Sequence, residues 1–132
     1  MSVQEFARLF RLERRRFARV CPLAARTSLE LLDTYATTPR GGLRDVAYVA
    51  RSRGRCRMVF VRRALAFSRS RLVALLRHEF GHVCDPTPNR PGCERRADAI
   101  ARAVGGRPIR YDASDVQNLT RGRARRPPYL HQ

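Results

Sequence analysis

His78-Glu79-Phe80-Gly81-His82, reached through Leu72-Val-Ala-Leu-Leu-Arg77, decides how this chain is read. Leu72, Leu75, Leu76 and Phe80 recur at helical spacing, so the stretch is expected to be a helix that starts near Ser68 or Ser70 as cap and runs to about Cys84. Residues i and i+4 of a helix share a face, about one turn apart, and the two histidines have that spacing. Their imidazoles can converge on a single Zn²⁺. Glu79 points toward the same side, where it can take a proton from a water held at the cation. Gly81, beside His82, leaves room for close packing. Five loosely constrained positions also arise by chance, so a third ligand has to come from elsewhere in the chain.

Twelve residues after His82 stands Glu94-Arg95-Arg96-Ala97-Asp98. Ala97, Ile100, Ala101 and Val104 give a second helical pattern, which starts at Cys93 or Glu94 and stops at Gly105-Gly106. Glu94 and Asp98 are again i and i+4. A carboxylate pair on an inward helical face is costly to desolvate without a positive charge opposite it, and a divalent metal provides one. Glu94 is therefore the candidate third ligand. Asp98 could accept the N–H of a ligand histidine, His78 first, and fix its tautomer. Two His and one Glu leave a fourth position for water, as catalytic zinc sites do and structural ones do not.

These residues form the HExxH signature of zinc metallopeptidases. With Glu94 and Asp98 the chain resembles the gluzincins, in which a Glu on a following helix is the third ligand and an Asp four residues later orients the site. Over residues 43–105 it is most similar to the small phage-repressor-cleaving and radiation-response metallopeptidase family. That family runs strand, short loop, HELGH or HEFGH helix, then ExxAxxFA on the next helix. Here Arg57-Met-Val-Phe-Val61 is followed by Arg77-His-Glu-Phe-Gly-His82 and Glu94-Arg-Arg-Ala-Asp98-Ala-Ile-Ala101. Asp98 stands where that family commonly has Asn, and the usual aromatic two residues later is missing. The resemblance implies an α+β, minimal zincin-like domain: N-terminal helices, a small antiparallel sheet or β-hairpin, a metal-binding helix and a Glu-bearing helix. It implies a zinc-dependent metalloendopeptidase acting on polypeptide, with Zn²⁺ on His78, His82 and Glu94, Glu79 as general base and Asp98 behind a ligand. It also implies that the Arg57–Val61 strand pairs with extended substrate through free backbone groups. Tyr48, Tyr111 and Tyr129 are available as oxyanion donors.

Upstream, Phe6, Leu9, Phe10, Phe17 and Val20 fit a helix over residues 2–20, and Pro22 suits the first turn of another reaching about Thr37 with Leu29, Leu32 and Tyr35 inward. Thr37-Thr-Pro-Arg-Gly-Gly42 is a loop. Leu43–Arg51 and Arg55–Arg62, around the turn signal Ser52-Arg-Gly54, read as a β-hairpin. The expected organisation is a single domain over 1–120, with N-terminal helices in 1–42 and the core in 43–106. Within it Pro108–Asp115 is a connection or strand and Asp115–Leu119 a helical turn. Residues 121–132 are a basic extended tail that holds His131. Asp85 could reach the metal, but Pro86 beside it favours a helix end and a turn.

The chain has 132 residues, one domain's worth, and is 43% hydrophobic. No apolar run is long enough for a transmembrane helix and no secretory signal opens it, so a cytoplasmic address is expected, with phage or virion association as the other setting. Its 28 basic residues are all arginine and face 11 acids, a net charge of +17. Such a field draws polyanions, and arginine binds phosphate bidentately, so nucleic acid is a candidate partner. The arginines are spread along the chain, which equally fits a generally basic surface. Two further functions therefore stand beside peptide hydrolysis: a basic nucleic-acid-associated binding protein, and a virion component that keeps the fold for structure. The cysteines at 21, 56, 84 and 93 form no CxxC pattern. Cys84 and Cys93 bracket the Pro-rich Asp85–Gly92 loop, where a disulfide would tie the two ligand helices. The alternatives are two free thiols, or a cysteine on the zinc.

Overall fold

A computed structural model describes residues 1–33 and 46–105. The expected loop at Thr37–Gly42, the residues Tyr35, Tyr111, Tyr129 and His131, the connection and helical turn within 108–119 and the basic tail lie outside them. The architecture is α+β. Helix α1 spans Val3–Ala18, strand β1 Thr27–Leu32, β2 Ala47–Ser52, β3 Arg55–Val61, helix α2 Arg69–Cys84 and α3 Cys93–Gly105. No helix among the described residues is long and apolar enough to cross a membrane.

Ser2 caps α1 by accepting from the Glu5 N–H. Phe6, Leu9, Phe10 and Phe17 are buried along its inner face. Val20 lies beyond the helix and is 65% exposed, so it does not join that face as the sequence had led us to expect. Glu13 also faces inward and is held by Arg77 Nε at 2.6 Å.

The segment after Pro22 departs most from expectation. Pro22 does open a helical turn, but the turn is 3₁₀ and ends at Arg26. Residues 27–32 then form β1 instead of continuing a helix to Thr37. The physical reason is a period of two. Leu29 and Leu31 pack on the main core, and Leu32 packs on the opposite face with Tyr48, Val59 and Val61. Spacing Leu29 and Leu32 by three mimicked a helical stripe.

β1 pairs in parallel with β3 (Leu29 with Met58, Leu31 with Phe60), and β2 pairs antiparallel with it (Val49 with Met58, Ala47 with Phe60). The sheet is thus mixed, in the order β1-β3-β2, rather than antiparallel. β2 and β3 are joined across Arg53 and Gly54, at φ 49° and 76°. Positive φ at both positions belongs to the two-residue hairpin turn whose twist matches its strands, and Gly54 adopts it without strain.

α2 packs on the sheet and on both other helices. Ser68 caps it, accepting from the Arg71 N–H. Leu72, Leu75, Leu76 and Phe80 are all at most 1% exposed. The Phe80 ring stacks on Phe10 and Phe17, with centroids 5.4 and 5.2 Å away, which fixes α1 against one side of α2. On another side α3 comes so close that a methyl group at position 81 would lie 2.2 Å from the Ala97 carbonyl oxygen. Only glycine permits that approach.

Candidate metal centre

The close contact at Gly81 brings the first two turns of α3 alongside His78 and His82. Both imidazoles are buried. His82 Nε2 lies 2.6 Å from Glu94 Oε1, and His78 Nε2 lies 3.4 Å from Glu94 Oε2. Two ring nitrogens from one helix therefore meet one carboxylate from the next. On its other side His78 Nδ1 is 2.5 Å from Asp98 Oδ1. An ionised carboxylate only accepts, so this contact puts the proton on Nδ1 and turns the Nε2 lone pair toward Glu94. Glu79 is fully buried, and its carboxylate lies within 4.8 Å of ligand nitrogens of both histidines. All five residues singled out in the sequence are thus brought together. Imidazole and carboxylate donors at such distances form a donor set that a divalent cation can bind.

Three residues that no sequence pattern marked hold this arrangement in place. Arg51, at the end of β2, sets Nη2 2.7 Å from the His82 carbonyl oxygen and 3.0 Å from that of Asp85. It thereby satisfies the carbonyls that end α2. Arg96 reaches back from α3 into the 85–92 loop. Its Nε donates to Asp85, and its Nη atoms donate to the carbonyls of Thr87, Arg90 and Pro91. Glu13 anchors Arg77, the neighbour of His78. Acids and arginines are so evenly mixed in this sequence that only the fold distinguishes these from the solvated ones.

Asp85 is buried, caps the end of α2, and accepts from the Thr87 N–H at 2.9 Å. It makes the turn expected beside Pro86. Tyr48 packs with Val59 and Val61, on the face of the sheet opposite the one that carries the main core.

The Cys84–Cys93 bridge is not formed. Cys84 is bonded instead to Cys21, with Cα atoms 5.7 Å apart. The turn after α1 brings Cys21 against the end of α2, and Cys84 turns there rather than across the loop. Cys84 is therefore not a free thiol, whereas Cys93 is. Burial pushes the Cys93 thiol up, the neighbouring Glu94 adds to the rise, and Arg96 opposes it. The expectation for substrate pairing also needs correction. β3 is the central strand, bonded on both sides, so its Arg57–Val61 backbone has no free edge. Among the described residues the edges are β1 and β2.

A hollow of about 590 Å³ lies away from the histidines. Arg26, Arg53 and Arg55 line it at the start of β1 and the β2–β3 turn. Comparison of the chain with family models, with curated proteins and with solved structures found no match.

Proposed function

We propose that this chain is a zinc-dependent metalloendopeptidase with a minimal zincin-like core of the gluzincin type, resembling the phage-repressor-cleaving and radiation-response metallopeptidases. The observation that carries the reading is the meeting of His78 Nε2 and His82 Nε2 on the Glu94 carboxylate, with Asp98 behind His78. His78, His82 and Glu94 hold the cation. When bound, Zn²⁺ supplies an acidified water and a polarised substrate carbonyl. Glu79, buried beside both imidazoles, accepts the proton of the attacking water and returns it to the leaving amine. Asp98 keeps His78 in the tautomer that presents Nε2. Among the described residues β2 is the edge strand that packs against α2, so its outer edge is the one placed to pair with an extended polypeptide.

The test combines metal content with turnover of an unfolded polypeptide. Wild type should hold one Zn²⁺ per chain and cleave. Glu79→Gln should keep the metal and lose roughly 10²- to 10⁴-fold in rate, the usual share of general acid–base catalysis. His78→Ala should lose the metal. Full zinc in His78→Ala, or unaltered cleavage by Glu79→Gln, refutes the assignment.

A second reading, a binding protein for nucleic acid, is favoured by the arginine-lined hollow at Arg26, Arg53 and Arg55 in a chain of net charge +17. Its signature is an affinity for duplex or single-stranded DNA that falls steeply with salt and survives removal of zinc.

A further inference from the structure

Cys93 sits next to the third ligand in a position that sequence spacing alone gave no reason to favour. It is the first residue of α3, and its Sγ lies 4.0 Å from Glu94 Oε1. The ligand atoms of His82, Cys93 and Glu94 all lie within 4.8 Å of one another. Its one neighbouring disulfide partner in sequence, Cys84, is already bonded to Cys21, so the thiol stays free inside this cluster. Arg96 fastens the loop that leads into Cys93 through the carbonyls of Arg90 and Pro91, which sets where α3 begins. With metal–nitrogen and metal–oxygen bonds of about 2.0 Å and a metal–sulfur bond of about 2.3 Å, tetrahedral neighbours stand about 3.5 Å apart. The 4.0 Å between the sulfur and Glu94 Oε1 exceeds that spacing by only about half an ångström.

We propose that the Cys93 thiolate is the fourth ligand of the metal centre, so that the resting site is a closed His78–His82–Glu94–Cys93 set. The inference rests on the metal reading above and adds to it a fourth protein ligand. As the metal–sulfur bond forms, the thiol proton passes to solvent. While Cys93 holds the fourth position, that position is closed to the water on which Glu79 would act. Cys93 is partly exposed, whereas both histidines are buried.

Cobalt makes the test direct, because a thiolate on Co²⁺ gives an intense near-ultraviolet charge-transfer band that imidazole and carboxylate do not. The full 132-residue chain is loaded with Co²⁺, and wild type is compared with Cys93→Ser. The band should be present in wild type and lost in the variant, with one Co²⁺ per chain in both. Affinity should fall about 10- to 100-fold in the variant, no less than the loss of an outer partner causes, and its zinc form should cleave unfolded polypeptide faster than wild type. A second readout needs no variant: Zn²⁺ should protect Cys93 of wild type from alkylation by iodoacetamide, scored by peptide mass. One bound Co²⁺ without the band, or alkylation at the same rate with and without Zn²⁺, overturns the cysteine ligand and leaves the His–His–Glu site standing. Failure of wild type to bind Co²⁺ or Zn²⁺ at all overturns both.

Discussion

Asp98 illustrates how much one carboxylate decides at the site. It meets His78 Nδ1 at 2.5 Å, and the ring's other nitrogen faces Glu94. Deleting the acceptor frees the ring to rotate and to take the wrong tautomer, in which Nε2 carries the proton and cannot ligate. Asp98→Ala should therefore weaken Zn²⁺ binding by about 10- to 100-fold, measured by competition with a chromophoric chelator. Asp98→Asn keeps a neutral acceptor oxygen and should lose much less. Equal affinity in Asp98→Ala and wild type would show that the contact does not set the tautomer. The chemistry-bearing residues were legible in sequence because each pair, His78 with His82 and Glu94 with Asp98, is spaced for one helical face. Arg51, Arg96 and Glu13 were not. Their partners are carbonyls or a residue far along the chain, such as Arg77 for Glu13, and no local spacing encodes those contacts.

At the scale of elements, the site exists because α2 and α3 touch with almost nothing between them. The contact is made at Gly81, between the turns that carry His78 and His82, against the backbone of Ala97. Gly81→Ala would place a methyl group 2.2 Å from the Ala97 carbonyl oxygen and 2.8 Å from its carbon, and a backbone cannot rotate away as a side chain can. The helices must separate. Overpacking of this kind costs about 1–3 kcal/mol, and because the obstacle is main chain the upper end is expected. Separation also draws Glu94 and Asp98 from the histidines, so Gly81→Ala should lower metal affinity along with the denaturation midpoint. A variant with full stability and tight zinc would mean that α3 does not pack as described. Both helices could be read from their apolar periodicity and from their stops, and the hairpin from its Arg53-Gly54 turn. β1 could not. Thr-Ser-Leu-Glu-Leu-Leu32 carries leucines at both i+2 and i+3, and the choice of period two is made by β3, which offers Met58 and Phe60 as partners for Leu29 and Leu31. That is tertiary context overriding a local pattern.

Across the whole molecule, α2 is held from three directions: by α1 through Phe10 and Phe17, by the sheet through Arg51, and by α3 through Gly81. The Cys21–Cys84 bond reinforces the first of these, closing a loop of 63 residues onto the end of the metal helix two residues beyond His82. On the chain-entropy estimate a loop of that length limits the unfolded state by about 4 kcal/mol. Stabilities of small domains lie at about 5–15 kcal/mol, so this one bond is a large part of what separates folded from unfolded chain. The double variant Cys21→Ser, Cys84→Ser should lower the urea midpoint by an amount approaching that figure, less whatever strain the bridge carries. Its effect on the metal should be small so long as the variant is folded, because the His–Glu contacts are set by the approach of Gly81 to Ala97 and by Arg96. A loss of zinc affinity as large as that caused by Asp98→Ala, in protein shown to be folded by circular dichroism, would mean that the anchorage of α1 positions the ligands as well as stabilising them. An unchanged urea midpoint would instead mean that the bond does not form in solution.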